Sequence, residues 1–280
     1  AAFRARMGFL TRLRTGWALT KDSLRVLRGD PELAVFPLVG GVAGLCYVAL
    51  LFGGATLVGG LDSQALQIGL LFLLYLGTTF VASFATAALM HETRTAFEGG
   101  EPSFRSGMAA AWHNRGTLLV WSVVSATVGV VIQLIDSQDT ILAEILAGIV
   151  SVAWSILTYF VVPVIAFEDV SVREAIRRSG ETFRGTWGET AGAHFGVGIV
   201  TFLFMLPVIL VAGAVLFLGI GSGSGFGFGA AVAVATVLLV GAYLFSATLS
   251  SIAKTALYVY ATEGLRPGAF DDVDLGRVPD

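Results

Sequence analysis

Six apolar stretches divide this chain, and all seventeen of its Lys and Arg residues fall on one side of any membrane those stretches would cross. The runs cover about residues 33–60, 65–90, 117–135, 141–167, 191–220 and 229–253. Each is near or above the ~20 residues a helix needs to cross ~30 Å of hydrocarbon, and none alternates as a membrane barrel strand does. Arg4, Arg6, Arg12, Arg14, Lys21, Arg25 and Arg28 precede the first run. Arg94, Arg105 and Arg115 lie between the second and third, and Arg173, Arg177, Arg178 and Arg184 between the fourth and fifth. Lys254, Arg266 and Arg277 follow the sixth, whereas the three opposite loops carry Asp62, Asp136 and Asp139 but no base. Lys and Arg cost roughly 2.5–3.5 kcal/mol each at the bilayer centre and are held back on the cytoplasmic side. The expected topology has six spans with both termini cytoplasmic, in the cell membrane.

With 55% hydrophobic and only 13% charged residues, a water-soluble globule is excluded. The expected fold class is all-α, a polytopic membrane helical bundle. Three parts are read: a cytoplasmic amphipathic segment over 1–32, a six-helix transmembrane domain over 33–260, and a short acidic cytoplasmic tail over 261–280. The first apolar run starts too late and is too long for a cleavable signal, and Met7 is a candidate natural start. Cys46 is alone, so no internal disulfide can form.

The chain also repeats. Ala96-Phe97-Glu98, Ala166-Phe167-Glu168 and Ala261-Thr262-Glu263 close the second, fourth and sixth runs, and Gly-Gly-Glu-Pro-Ser-Phe after the first copy parallels Gly-Leu-Arg-Pro-Gly-Ala-Phe after the third. Recurrence at one topological point predicts three parallel hairpins, each preceded by an amphipathic cytoplasmic segment. In the first segment Leu10, Leu13, Trp17, Thr20, Leu24 and Leu27 recur at helical spacing, with the bases off that stripe, as in a helix lying on the membrane surface. Phe104, Met108 and Trp112 mark the second segment, and Val172, Ala175, Ile176, Ser179 and Phe183 the third. Ser171-Val172-Arg173-Glu174 is a capping box that starts the third helix near Val172. Asp30-Pro31-Glu32 reads as N-cap, N1 and acidic first turn of the first span.

Several of these residues carry a resemblance. The run Gly16-Trp17 through Ser23-Leu24-Arg25-Val26-Leu27-Arg28-Gly29-Asp30-Pro31-Glu32-Leu33, with Phe36-Pro37-Leu38, resembles the N-terminal signature of an uncharacterised prokaryotic family of six-span membrane proteins, a domain of unknown function. Trp154-Ser155, Tyr159 to Val164, Glu168, Ala175-Ile176, Ser179 and Thr186-Trp187-Gly188-Glu189 resemble it too. The arrangement of Pro163, Glu168, Ala175 and Ser179 is similar to membrane regions that accompany some glycerophosphodiester phosphodiesterases. The resemblance implies the fold and a membrane location and no activity; the phosphodiesterase catalytic domain itself is absent from this sequence.

Chemistry-bearing motifs are few. His91, His113 and His194 lie near the span ends at the depth of Glu92, Glu98, Glu168 and Glu189, but no His-Glu-x-x-His or Cys pair accompanies them, so no metal is expected. The repeated Glu98, Glu168 and Glu263 are expected to pair with arginine or cap helices. The glycine-alternating segment from Gly221 to Gly229 lacks the Lys-Ser/Thr of a phosphate loop and reads as a connector, so no cofactor is expected. Pro37, Pro163 and Pro207 within apolar runs permit kinks or a broken helix. Gly40-x-x-x-Gly44, Ser125-x-x-x-Gly129 and Gly192-x-x-x-Gly196 offer packing seams.

No nucleophile–base pairing points to an enzyme. The preferred expectation is a non-catalytic, lipid- or protein-interacting membrane component. Its interface with lipid would be formed by Trp17, Arg12, Arg14, Lys21, Arg25, Arg28, Trp112, Arg177 and Arg178. Expected partners are membrane lipids, with a protein partner or homo-oligomer left open and no nucleic acid. The alternative is a transporter or permease for a small molecule or lipid, against which stands the absence of an ionisable residue near any span midpoint, where coupled carriers keep one.

Overall fold

The computed structural model describes residues 17–57, 63–138, 140–187, 194–221 and 223–264. Its regular elements are all helical among these residues. In chain order they are α1 (17–29), a 3-10 turn at Pro31–Ala34 leading into α2 (Val35–Leu57), α3 (Gln64–Phe97), α4 (Phe104–His113), α5 (Arg115–Asp136), α6 (Ile141–Leu157), α7 (Val161–Phe167), α8 (Val172–Trp187), α9 (His194–Gly221) and α10 (Gly225–Glu263). They form three units of a leading helix and a hairpin: α1 with α2–α3, α4 with α5–α6–α7, and α8 with α9–α10.

Five helical segments are long and apolar enough to cross a membrane: Pro31–Leu57, Gln64–Phe97, Arg115–Asp136, Ile141–Phe167 and Gly225–Glu263. The chain is thus a polytopic helical membrane bundle. The sixth expected span maps to α9 (His194–Gly221), of which Met205–Gly221 is an apolar helical stretch among the described residues. At the turns opposite the base-bearing end, the second helix of each hairpin starts on the same device. Ser63 accepts from the Leu66 amide, Thr140 from Ala143 and Ser224 from Gly227, each satisfying an otherwise orphaned donor of the first turn. Asp30 departs from its expected role: its side chain makes no cap, although Pro31 does occupy the first position.

Two helices outrun their apolar stretches. At 1.5 Å per residue α3 and α10 extend about 50 and 58 Å, well beyond ~30 Å of hydrocarbon. The surplus lies at the end that carries the bases, and protein covers it there. Ala87 to Met90, Glu92 and Thr93 of α3 are buried, as are Ile252, Ala253 and Thr255 to Tyr260 of α10. They pack with Leu19, Val26 and Leu27 of α1, Phe36 of α2, Leu118 and Trp121 of α5, Phe160 to Ile165 around α7, and Val172, Ala175 and Phe183 of α8. Toward the opposite end the helices present Leu50, Leu57, Ile141, Phe217, Leu218 and Phe226 outward, as surfaces facing lipid tails do. The tight core therefore sits at one end of the bundle.

Small residues set the seams between spans. A Cβ on Gly40 would lie 2.6 Å from the Ala85 Cβ, so α2 and α3 approach closely there. Tyr75 lies against Gly129, and Tyr47 fills the space beside Gly77 while its hydroxyl donates to the Leu73 carbonyl at 2.5 Å. Gly44 meets nothing within 4 Å, and the side-chain surroundings of Gly192 and Gly196 lie outside the described residues.

The three prolines behave differently. Pro37 stands in the first turn of α2, where its missing N–H costs nothing. Pro207 sits inside a continuous α9. Pro163 cannot donate to the Tyr159 carbonyl, and there the fourth span breaks between α6 and α7 over Thr158 to Phe160.

Candidate functional site

The three copies of the Ala-Phe/Thr-Glu repeat meet at the base-bearing end around Arg94, in the last turn of α3. Its Nε donates to Glu98 Oε1 at 2.9 Å and its Nη2 lies 2.9 Å from Glu263 Oε1. The guanidinium also lies over the Phe167 ring, 5.3 Å from its centroid. One side chain thus touches the first copy through Glu98, the second through Phe167 and the third through Glu263. Glu168 is taken by others: it accepts hydrogen bonds from Arg178 of α8 and from the Tyr258 hydroxyl of α10, whose ring stacks on Phe167. The expected pairing of these glutamates with arginine is what the fold contains.

On α8 the cluster continues outward. Glu174 accepts from Arg177 at 2.9 Å and Arg178 at 2.8 Å, and Arg177 reaches Glu181 at 2.7 Å. Hydrogen bonds from Arg177, then Arg178, hold the Glu174 carboxyl down at about 2, and the same bonds to Glu174 raise both guanidinium groups further above their ordinary value. Val172, Ala175, Ser179 and Phe183 point into the protein, matching the face expected from spacing, and the helix starts at Val172 with Ser171 accepting from the Glu174 amide. Only half of the capping box forms, because the Glu174 carboxylate turns to the arginines instead.

Ser179 repairs the break in the fourth span. Its hydroxyl accepts from the Phe160 amide at 2.9 Å and donates to the Leu157 carbonyl at 2.7 Å, and the residue is fully buried. Without it, two backbone groups opened by the break would be left in an apolar interior. Beside the break, the Lys254 ammonium lies 4.3 Å from the centroid of the Tyr159 ring. Lys254 makes no ion pair with a described residue. Sequence placed it after the sixth span, but α10 runs nine residues further, to Glu263, so Lys254 lies inside the helix. It stands where the apolar stretch of α10 gives way to the protein-covered end of the helix.

A second buried polar centre ties α4 to α3. Glu92 is fully buried beneath Phe36 and accepts from the Ser103 amide at 2.7 Å and the Ser106 hydroxyl at 2.9 Å, with His91 Nδ1 at 3.0 Å. It thereby supplies the carboxylate at the α4 N-terminus that Ser103, which makes no side-chain cap, does not. Among the described residues no three His, Cys, Asp or Glu converge as a metal site.

A family model described as a family of unknown function, DUF6159, matches residues 65–268. The chain belongs to DUF6159. The match runs from the start of α3 past the end of α10, so it contains Arg94, Glu168, Ser179 and Glu263 and leaves out α1 and α2. No curated protein matches this DUF6159 chain.

The residues expected to face lipid are distributed unevenly in it. Arg12 and Arg14, with Leu10 and Leu13, lie outside the described residues. Trp17 is 56% exposed and shares its helix face with the exposed Lys21, Arg25 and Arg28, with the half-buried Leu24 beside them and Leu19 and Leu27 turned inward. The buried face is instead Leu19, Thr20, Ser23, Val26 and Leu27, so α1 is packed into the protein on one side. Periodicity placed Trp17 with Thr20, Leu24 and Leu27 because an apolar stripe looks the same whether lipid or protein covers it. Arg25 is tied to Asp22 at 3.0 Å. Trp112 is 60% exposed, with Arg115 over its ring and Phe84 at its edge. Arg177 and Arg178 are occupied by the acids of α7–α8. Glu92, Ser179 and Lys254 carried no sequence signal of their roles, since each role depends on a partner brought from another helix.

Proposed function

We propose that this chain is a multi-pass component of a prokaryotic cell membrane, with both termini cytoplasmic, that works by holding lipid or a protein partner and not by catalysis. One observation carries the reading: core, bases and acid–base pairing are all concentrated at one end, while the flanks of the spans are apolar and exposed. Such a molecule has an electrostatic face for anionic headgroups and an apolar belt for tails. The amphipathic helices of the base-bearing end are α1, whose bases share one exposed face, and α8.

Orientation is tested by impermeant maleimide on intact cells, in a Cys46→Ala background with cysteine introduced singly at Glu101 or Gln138. Labelling at position 138 with protection at 101 is expected, and the converse overturns the orientation. A second reading, a permease for a small molecule or lipid, is favoured by the broken fourth span beside Lys254. Purified protein in liposomes, given a pH or sodium gradient and a panel of small solutes, separates the two. Gradient-driven accumulation lost in Lys254→Met would replace the first reading with the second.

A further inference from the structure

A cleft of about 440 Å³ runs between α9 and α10. Met205 and Val208 wall it on one side and Val237, Gly241, Phe245 and Leu249 on the other, so it follows α10 for about 18 Å at 1.5 Å per residue. Thr20 of α1 joins the lining, and with Ser246 it brings the only hydroxyls among the described residues there. The neighbouring surface is apolar and exposed at Leu210, Val211 and Val237, so the cleft opens sideways toward lipid tails.

What stands at its base-bearing end is not apolar. Lys21 directly follows Thr20, so the turn of α1 that lines the cleft also carries an exposed ammonium on a four-carbon stem. It shares an exposed face with Trp17 and Arg28, and neither Lys21 nor Arg28 makes an ion pair with a described residue. An apolar slot running along a span, continuous with unneutralised bases and an exposed tryptophan at one end, complements a molecule with a hydrocarbon tail and a negative head. Basic pockets between membrane helices select anionic headgroups in this way.

We propose that this cleft is a binding site for one anionic phospholipid of the bilayer, with an acyl chain between α9 and α10 and its headgroup phosphate on the base stripe of α1, Lys21 foremost. The site rests on the lipid-binding reading above and names its ligand. The occupant is a lipid and not a second copy of the chain, because the positive charge at the mouth calls for a negative head.

The test uses the full chain purified in detergent and offered equal amounts of phosphatidylglycerol and phosphatidylcholine, with bound lipid counted by native mass spectrometry. Two variants divide the site. A Cβ at Gly241 meets nothing within 4 Å, so Gly241→Leu starts into open space and puts its side chain into the cleft, and leucine favours a helix over glycine. Lys21→Ala removes the nearest charge. The wild type is expected to retain one phosphatidylglycerol in preference to phosphatidylcholine. Lys21→Ala should weaken that retention about fivefold with phosphatidylcholine unchanged, the loss expected for one base at an anionic surface. Gly241→Leu should lose the retained lipid. Unchanged retention in Gly241→Leu overturns the cleft while leaving the broader lipid-binding reading standing. Equal retention of both lipids by the wild type overturns the headgroup assignment, and a lipid-free dimer overturns the occupant. If the wild type retains neither lipid, the cleft and the lipid arm of the broader reading fall together.

Discussion

Replacing Ser179 by alanine removes one hydroxyl and strands two backbone groups. The Phe160 amide loses its acceptor and the Leu157 carbonyl its donor, both in the buried seam between α8 and the break in the fourth span. A stranded buried group costs about 1–3 kcal/mol, whereas hydrogen bonds measured within membrane bundles average only about 0.6 kcal/mol. The lower limit for each group is the fitting choice, since the chain around a break can relax, and it totals about 2 kcal/mol. At about 2–4 °C per kcal/mol for a chain of this size class, the melting midpoint of purified Ser179→Ala should fall by roughly 4–8 °C. Ser155→Ala is the control: that hydroxyl is exposed on α6 and bonds only the Val152 carbonyl of its own helix, so its midpoint should barely move. Ser179→Cys, with a weak donor and weak acceptor in nearly the same volume, should recover part of the loss. A midpoint for Ser179→Ala indistinguishable from that of Ser155→Ala would refute the bridge, because the break would then be held by packing alone.

Two further perturbations follow from the same geometry. Gly107→Ala would put a Cβ 2.7 Å from Phe36 and 2.8 Å from Glu92 Cγ, and since both are fully buried and neither can swing aside, a loss of about 1–3 kcal/mol is expected in the same melt. The Glu174 carboxyl is depressed to about 2 in the folded chain, so its contribution is present above the ordinary carboxylate range and is lost as pH falls toward that value. The wild-type midpoint should therefore decline more steeply between pH 6 and pH 3 than that of Glu174→Gln, and parallel declines would show that the α8 pairs add nothing.

Much of the helical layout was legible because hydropathy and charge segregation report on the bilayer itself. The ends of α2, α5 and the α6–α7 span fall within a few residues of the apolar boundaries, and Ser171 marks the start of α8. The ends of α3 and α10 were not legible. Their apolar windows stop near Met90 and Ala253, but the helices continue through Arg94 and Lys254 because protein replaces lipid as the cover. The repeat showed that Glu98, Glu168 and Glu263 were equivalent in sequence. It did not show their unequal partners, since Arg94 takes the first and third while Arg178 and Tyr258 take the second. The roles of Ser179 and Glu92 rest on contacts between helices far apart in the chain, which no local pattern records.

The junction at Arg94 also has a consequence for biosynthesis. Its partner Glu263 lies about 170 residues downstream, so at 5–20 residues per second the ribosome delivers it on the order of ten to thirty seconds after Arg94 emerges. Phe167, about 70 residues downstream, arrives part-way through that interval, so Arg94 has first Glu98 alone and then Glu98 and Phe167, but not yet Glu263. The ring of contacts closes only when the third unit arrives, which makes it a late checkpoint of assembly. A nascent chain truncated after α7 would carry Arg94 and Glu168 without Glu263, Tyr258 or Arg178, leaving those charges without their partners at the base-bearing end.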